Sequence, residues 1–168
     1  QTAQFTFDSV LDQAITQASV YDQVGRPMVE AAALGYSACV MCYGPTGTGK
    51  TYTLSGGVGC GGGSASEAGI TERALRHLLG GASARGVRAR MAYVQIYMEL
   101  LEDLLETGGA SSPPRRADEP GGAHAHAHGG LALREHPQEG VYLSGAKWLD
   151  LECEAQALAE VRAAEDRR

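Results

Sequence analysis

The residues best suited to chemistry form one octapeptide, residues 44–51 (GPTGTGKT), which matches the phosphate-binding pattern G-x-x-x-x-G-K-[ST] at every fixed position. Glycines let successive backbone N–H groups converge on phosphate oxygens, and the N-terminal end of a following helix adds positive charge. In such a loop Lys50 reaches the β- and γ-phosphates, and the Thr51 hydroxyl is a ligand for Mg²⁺. The sequence therefore predicts a phosphate site, against the competing interpretation of a glycine-rich surface turn.

A loop of this kind needs a strand before it and a helix after it. Residues 37–43 (SACVMCY) are an apolar run typical of a strand buried on both faces, and residues 50–54 can open a helix. Cys39 and Cys42 have C-x-x-C spacing, which raises a redox or zinc interpretation. Strand alternation directs them to opposite faces and no second pair exists, so buried free thiols in a reducing, cytosolic compartment are favoured.

Two more elements are predicted before the loop. Phe5–Leu11 alternates apolar and polar residues, which indicates a strand. From Ser19 to Leu34 the apolar residues fall close to helical spacing, so a helix is expected there. Pro27 should kink this helix or start it afresh because proline lacks the N–H donor, and Gly35 should end it.

After the loop, residues 55–64 are glycine-rich and are predicted to form a flexible surface loop. A helix is expected from about Thr71 to a stop at Gly80-Gly81. The alternation from Val87 to Tyr97 predicts one long strand, and residues 100–105 a short helical turn.

The last third of the chain combines low-complexity and regular patterns. Residues 107–130 are expected to be a disordered low-complexity insertion. Three histidines there could in principle meet one metal ion, but without a nearby fourth ligand a repetitive linker is favoured. A hairpin is predicted over 131–143 with its turn at 136–139, and a terminal amphipathic helix from 151. The three histidines are His124, His126 and His128; the terminal helix pattern is Leu151, Ala155, Leu158 and Val161.

Composition limits the partners. The 168 residues suit one domain with a real core, and the formal net charge is −6 with no dense basic stretch, which disfavours a nucleic-acid partner. No apolar run approaches the roughly 18 residues of a membrane span, so no membrane partner is expected, and no signal-like segment opens the chain.

Taken together in order, these segments resemble the kinesin motor domain. The family's F-x-F-D-x-V-[FL] strand is matched at 5–11 and its A-Y-G-Q-T-G-[ST]-G-K-T loop at 42–51. Its G-I-[IT]-x-R element is matched at 69–73, its S-[YF]-[LV]-[EQ]-I-Y-N-E strand at 92–99 with D-L-L at 103–105, and its hairpin at 131–145. The resemblance spans essentially the whole chain, and the sequence of residues 95–99 resembles that of the plant-type kinesins with armadillo repeats.

The resemblance implies an α/β, P-loop NTPase three-layer sandwich, with a central mixed β-sheet flanked by helices. It also implies the ATP-binding part of a motor that couples ATP hydrolysis to movement along microtubules, in the cytoplasm and on the microtubule cytoskeleton. The expected partners are ATP or ADP with Mg²⁺, and tubulin through elements mostly outside this chain. Tyr52 is expected to stack on adenine, with a ring packed in the core as the alternative. Nucleotide-binding roles carry over to Gly44, Pro45, Thr46, Gly47, Thr48, Gly49, Lys50, Thr51 and Tyr52, and the Mg²⁺ role to Thr51.

The chain also departs from the family pattern. Pro45 stands where Gln is usual, and Met98 stands where Asn is usual. The R-x-R-P adenine clamp and the two switch segments, N-x-x-S-S-R-S-H and D-x-x-G-x-E, have no match. Residues 1–168 are therefore expected to be a partial motor domain, with no catalytic residue assigned within it. The alternatives are a non-catalytic nucleotide-binding remnant or truncated motor and, disfavoured because 56–66 holds no arginine-bearing lid, a small P-loop kinase.

Overall fold

The computed structural model describes residues 4–57, 65–85, 88–98, 100–106, 131–138 and 140–168. The chain divides into two compact units, Gln1–Arg85 and Gly86–Arg168, which we call the loop unit and the C-terminal unit. The α-helices are α1 Gln17–Val20, α2 Arg26–Ala33, α3 Lys50–Ser55, α4 Ile70–Arg85 and α5 Glu154–Asp166. The strands are β1 Ala89–Met91, β2 Val94–Tyr97, β3 Leu100–Asp103, β4 Ala132–His136, β5 Gly140–Ser144 and β6 Leu149–Leu151.

The helical stretch predicted around Pro27 forms, and it is interrupted as expected. A π-helical turn, Tyr21–Gly25, separates α1 from α2, and Pro27 lies in the first turn of α2. Because proline has no N–H for a carbonyl one turn back, the wider turn before it accommodates the break. The Arg26 N–H donates to the Tyr21 carbonyl, a bond of π-helical spacing.

Gly35 ends this helix, as predicted. Its φ of 95° is left-handed. Its N–H donates to the Ala32 carbonyl at 2.9 Å, and the Tyr36 N–H donates to the Ala31 carbonyl at 3.1 Å. This pair of bonds is the Schellman arrangement, which satisfies the last helical carbonyls and turns the chain toward the loop.

The helix expected to stop at Gly80-Gly81 is longer, since α4 continues to Arg85. A glycine costs a helix interior about 1 kcal/mol but does not break it as proline does, and alanines follow at 82 and 84. The core of the loop unit is built on Ile70, at the start of α4, with Tyr21 and Val29. Val20, Val40, Leu54, Ala74 and Leu78 pack against this cluster.

The strands predicted at 5–11 and 37–43 are wrong for the described residues. Neither segment is hydrogen-bonded into a sheet. A strand exists only through a neighbour's ladder, and no described segment pairs with either run, however β-prone its residues are. Tyr43 is 95% exposed and Cys39 is exposed, while Cys42 is partly buried and Cys153 is exposed. The expectation of buried thiols, made for Cys39 and Cys42, is therefore wrong for Cys39 and is not met by the partly buried Cys42.

The C-terminal unit holds all the described strands, in three two-stranded antiparallel sheets that pair β1 with β6, β2 with β3, and β4 with β5. The central mixed sheet is not among them. The single strand expected from Val87 to Tyr97 is two strands, because β1 and β2 pair with different partners. The helical turn expected at 100–105 is also wrong. Residues 100–103 form β3, whose alternating burial fits a strand, and only 104–105 form a turn.

The β4–β5 hairpin confirms the prediction for 131–143. His136 pairs with Gly140, so the turn lies where it was expected. The β2–β3 hairpin turns at Met98, which has a left-handed φ of 47°. Asparagine tolerates this conformation better than most residues, so the family's usual residue suits the turn and Met98 strains it.

The terminal helix is confirmed with a shifted start. It begins at Glu154, and Leu151 belongs to β6, where it pairs with Ala89. Leu158 and Val161 are buried as predicted, but Ala155 is exposed. The second apolar cluster comprises Leu104, Leu105 and Ala164, with Met91, Tyr93 and Leu149 packed against it.

Some predictions lie outside the described residues: most of the 55–64 loop with Cys60, and the 107–130 insertion with its three histidines. Within the described ranges, none of the helices has the length and apolar character needed to cross a membrane.

Candidate functional site

The glycine loop has a backbone that suits its composition. Gly47 and Gly49 have φ values of 85° and 90°, in the left-handed region that side chains with a Cβ rarely adopt. Apart from the glycine itself and its two chain neighbours, no heavy atom of the described residues lies within 4 Å of a Cβ placed at either position. Backbone conformation, and not crowding, is therefore the reason for glycine at these two positions.

The loop runs directly into α3. The first hydrogen bond of this helix joins the Thr53 N–H to the Gly49 carbonyl at 2.8 Å. The N–H groups of residues 50–52 therefore have no helical acceptor. Residues 45–49 are exposed, so these donors lie at an accessible, electropositive helix start.

Lys50 is folded back over the loop. Its Nζ donates to the Pro45 carbonyl at 2.6 Å, and the Thr48 hydroxyl donates to the same oxygen at 2.8 Å. Pro45 thus contributes to the loop through its carbonyl, although its side chain has no donor. These bonds bring the ammonium group and the exposed loop backbone together.

The other predicted site residues lie around this core. Gly44 has a φ of 152°, Thr46 is exposed, and Thr51 is exposed at the second position of α3. Tyr52 is 52% exposed, so the alternative of a ring packed in the core is not what the structure has. Stacking of Tyr52 on adenine stays a prediction.

Gln17 is a residue of this site that sequence reasoning missed. It lies at the first position of α1 and is only 6% exposed. Its Nε2 donates to the Tyr52 carbonyl at 2.6 Å, so it joins α1 to α3 across 35 positions of sequence. No spacing rule marks a single glutamine for such a bond, because its acceptor is a backbone carbonyl.

The far end of α3 is held by close backbone packing. Gly56 forms an isolated antiparallel bridge with Ala68. A Cβ at Gly69 would lie 2.3 Å from the Leu54 carbonyl oxygen and 2.5 Å from the Gly56 nitrogen. Only glycine permits this approach, which anchors α3 to the segment that begins α4.

Tyr21 also contacts α4, through His77. Its hydroxyl and the His77 Nδ1 are 2.8 Å apart, and the two rings meet edge-on with centroids 6.3 Å apart. Burial raises the pKa of Tyr21; Arg26 lowers it by a smaller amount, and Asp22 adds a smaller rise. The residue therefore remains a neutral hydrogen-bonding partner at physiological pH.

Metal ligation by protein side chains alone is not supported in the described residues. They contain no group of three or more His, Cys, Asp or Glu side chains that could hold an ion. The donor set of the loop fits a different arrangement, in which a hydroxyl such as that of Thr51 shares a hard cation with phosphate oxygens.

A glycine loop with left-handed residues that runs into a helix beginning with Lys50 and Thr51 defines the class of P-loop proteins. The kinesin motor domain model matches residues 1–168, and the chain belongs to the kinesin motor domain family. The P-loop NTPase fold follows at the level of the family.

Relatives of this chain are kinesin-like proteins. It is 43% identical over 101 residues, 60% of its length, to Kinesin-like protein KIN-UC of Arabidopsis thaliana, of which it covers 9%. It is 35% identical over 142 residues, 82% of its length, to KIN-5B of the same plant, of which it covers 14%. It is 32% identical over 142 residues, 83% of its length, to KIF3C of Bos taurus, covering 15%. The chain thus spans a small fraction of these relatives' length.

Proposed function

We propose that this chain is the ATP-binding part of a kinesin-like microtubule motor. The observation that carries the proposal is the proximity of Lys50, the left-handed glycine loop and the N–H groups at the start of α3 that lack a helical acceptor. Residues 44–49 wrap the α- and β-phosphates, and Lys50 neutralises the β- and γ-phosphate oxygens. Thr51 shares Mg²⁺ with the phosphates, and Tyr52 stacks on adenine. The bound Mg²⁺ supplies positive charge to the phosphate oxygens.

The longer protein is proposed to couple ATP hydrolysis to movement on microtubules, in the cytoplasm and at the microtubule cytoskeleton. Family membership and kinesin-like relatives support this. We further propose that residues 1–168 are one part of a motor domain, a three-layer sandwich with a central mixed sheet. Within that domain, we propose that 107–130 is a low-complexity insertion. Nucleic acid and membranes are not proposed partners.

Calorimetric titration of the chain with Mg-ATP tests the nucleotide site. Lys50→Ala should weaken binding roughly tenfold to a hundredfold, because it removes a charge-assisted contact to phosphate. Arg134→Ala is the matched control, since it removes one positive charge from an exposed position of the C-terminal unit. Equal binding by the wild-type and Lys50→Ala chains, or no binding by either, would contradict the proposal.

A nucleotide-binding protein without turnover is the second candidate. Pro45 favours it, because this residue offers no side-chain donor where the family usually has glutamine. Microtubule-stimulated phosphate release by the longer protein separates the two candidates. Release supports the motor, and Mg-ATP binding without release supports the second candidate.

A further inference from the structure

Helix α3 carries three of the proposed nucleotide contacts but has little packing of its own. It is six residues long and none of them is buried. Helices this short are not stable alone in water, so tertiary contacts must set its orientation. Its C-terminal end is tied by Leu54 in the apolar cluster and by the Gly56–Ala68 bridge.

The first turn of α3 is tied differently, through Gln17. The Tyr52 carbonyl accepts the Gln17 Nε2 at 2.6 Å and the Gly56 N–H at 2.9 Å. Gln17 is itself held, because Thr16 caps α1 with its hydroxyl accepting the Ser19 N–H at 3.2 Å. A buried amide on a capped helix is a rigid donor, whereas an exposed glutamine samples many rotamers.

We propose that Gln17 is a positioning residue for nucleotide binding. By fixing the Tyr52 carbonyl, it sets the orientation of the turn that carries Lys50, Thr51 and Tyr52. It touches neither phosphate nor base, and it acts through the backbone of α3. This inference rests on the proposed function and adds a residue outside the loop to that site.

The test measures Mg-ATP affinity of the full chain by calorimetry. Gln17→Met keeps the length and apolar bulk of the side chain but removes its donor, and it should weaken binding roughly tenfold. Gln23→Met, at an exposed position of the π-helical turn, is the matched control and should bind like the wild type. Hydrogen exchange at the Thr53 and Gly56 amides should accelerate in Gln17→Met and not in the control.

A second variant separates positioning from a general loss of folding. In Gln17→Glu a protonated carboxyl can donate to the Tyr52 carbonyl, whereas a carboxylate repels it. Because burial at this position disfavours the charged form of a carboxyl, the ratio of the variant and wild-type dissociation constants should be smaller at pH 5 than at pH 8, where about tenfold or more is expected. Comparison with the wild type at each pH cancels the protonation of ATP itself.

The outcomes distinguish this inference from the proposed function. If the wild type binds Mg-ATP, Lys50→Ala does not, and both Gln17 variants bind like the wild type at every pH, Gln17 has no positioning role. A pH-independent loss in Gln17→Glu that follows lost circular dichroism would also overturn it, as a folding defect. If the wild type does not bind Mg-ATP, the proposed function itself is wrong.

Discussion

The two units of the chain are stabilised in different ways. In the loop unit the segment of chemical interest is exposed, takes its shape from glycine backbones and is held by single hydrogen bonds. In the C-terminal unit each described strand has an antiparallel partner, and Leu105 and Ala164 are almost completely buried. The proposed nucleotide binding thus depends on a few polar contacts in one unit, and cooperative packing governs stability in the other.

The largest effect is expected from Leu105→Ala. This side chain is 1% exposed in a cluster whose members all lie in the C-terminal unit, so the substitution leaves a cavity. The free energy of unfolding should fall by about 2–5 kcal/mol. The fluorescence of Trp148, the single tryptophan of the chain, follows the unfolding of this unit during urea denaturation. A parallel loss of Mg-ATP affinity in the folded variant would contradict the division of roles between the units.

A pair of glycine substitutions should have opposite effects within the loop unit. Gly69→Ala places a Cβ 2.3 Å from the Leu54 carbonyl oxygen and should destabilise the unit by about 1–3 kcal/mol. Gly80→Ala lies in α4 with open space around it and should stabilise the helix by about 0.5–1 kcal/mol. Hydrogen exchange of peptides from α4 measures both. Protection unchanged in Gly69→Ala would show that the close approach is dispensable.

Met98 offers a smaller gain in the C-terminal unit. Met98→Asn should raise the free energy of unfolding by about 1 kcal/mol, because asparagine accepts the left-handed conformation of the β2–β3 turn more readily. Met98→Val should lower it, since β-branched residues avoid that region. Urea denaturation followed at Trp148 is the measurement, and the same stability in both variants would exclude backbone strain at this turn.

The smallest effect concerns alkaline pH. Burial, and then the carboxylate of Glu165, raise the pKa of Tyr93 above its ordinary value of 10.0. The folded state therefore holds the phenolic proton more tightly than the unfolded state does. The resulting stability is fully present below the unfolded pKa and is lost as the pH rises through the folded pKa.

In Tyr93→Phe the free energy of unfolding, followed by Trp148 fluorescence, should depend less on pH above about 10. In that range the wild-type tyrosine begins to lose its proton on unfolding. Tyr97→Phe is the matched control, because Tyr97 is an exposed tyrosine of the same unit. An identical pH dependence in Tyr93→Phe and the wild type would show that ionisation of Tyr93 does not destabilise the folded unit.

The loop was predictable because its structure is local. The pattern that identifies it, glycine spacing followed by Lys50 and Thr51, is complete within eight residues. The end of the helix at Gly35 and the new start near Pro27 also follow from single residues. The β4–β5 hairpin was predictable for the same reason, since a short turn sets its register.

The errors occurred where a neighbouring strand decides the state of a segment. Residues 37–43 and 100–105 have patterns compatible with more than one state, and only the presence or absence of a neighbouring strand decides between them. Gln17 was missed for a related reason, because its partner is a carbonyl 35 residues away.

The amino-acid sequence by itself determined the phosphate loop, the helix signals around it and the family, because each depends on residue types at short spacing. Only the tertiary structure decided which segments pair as strands, how far α4 runs, which apolar residues are covered and which donor holds α3. These features depend on contacts outside the segment concerned, and local propensity is too weak to specify them.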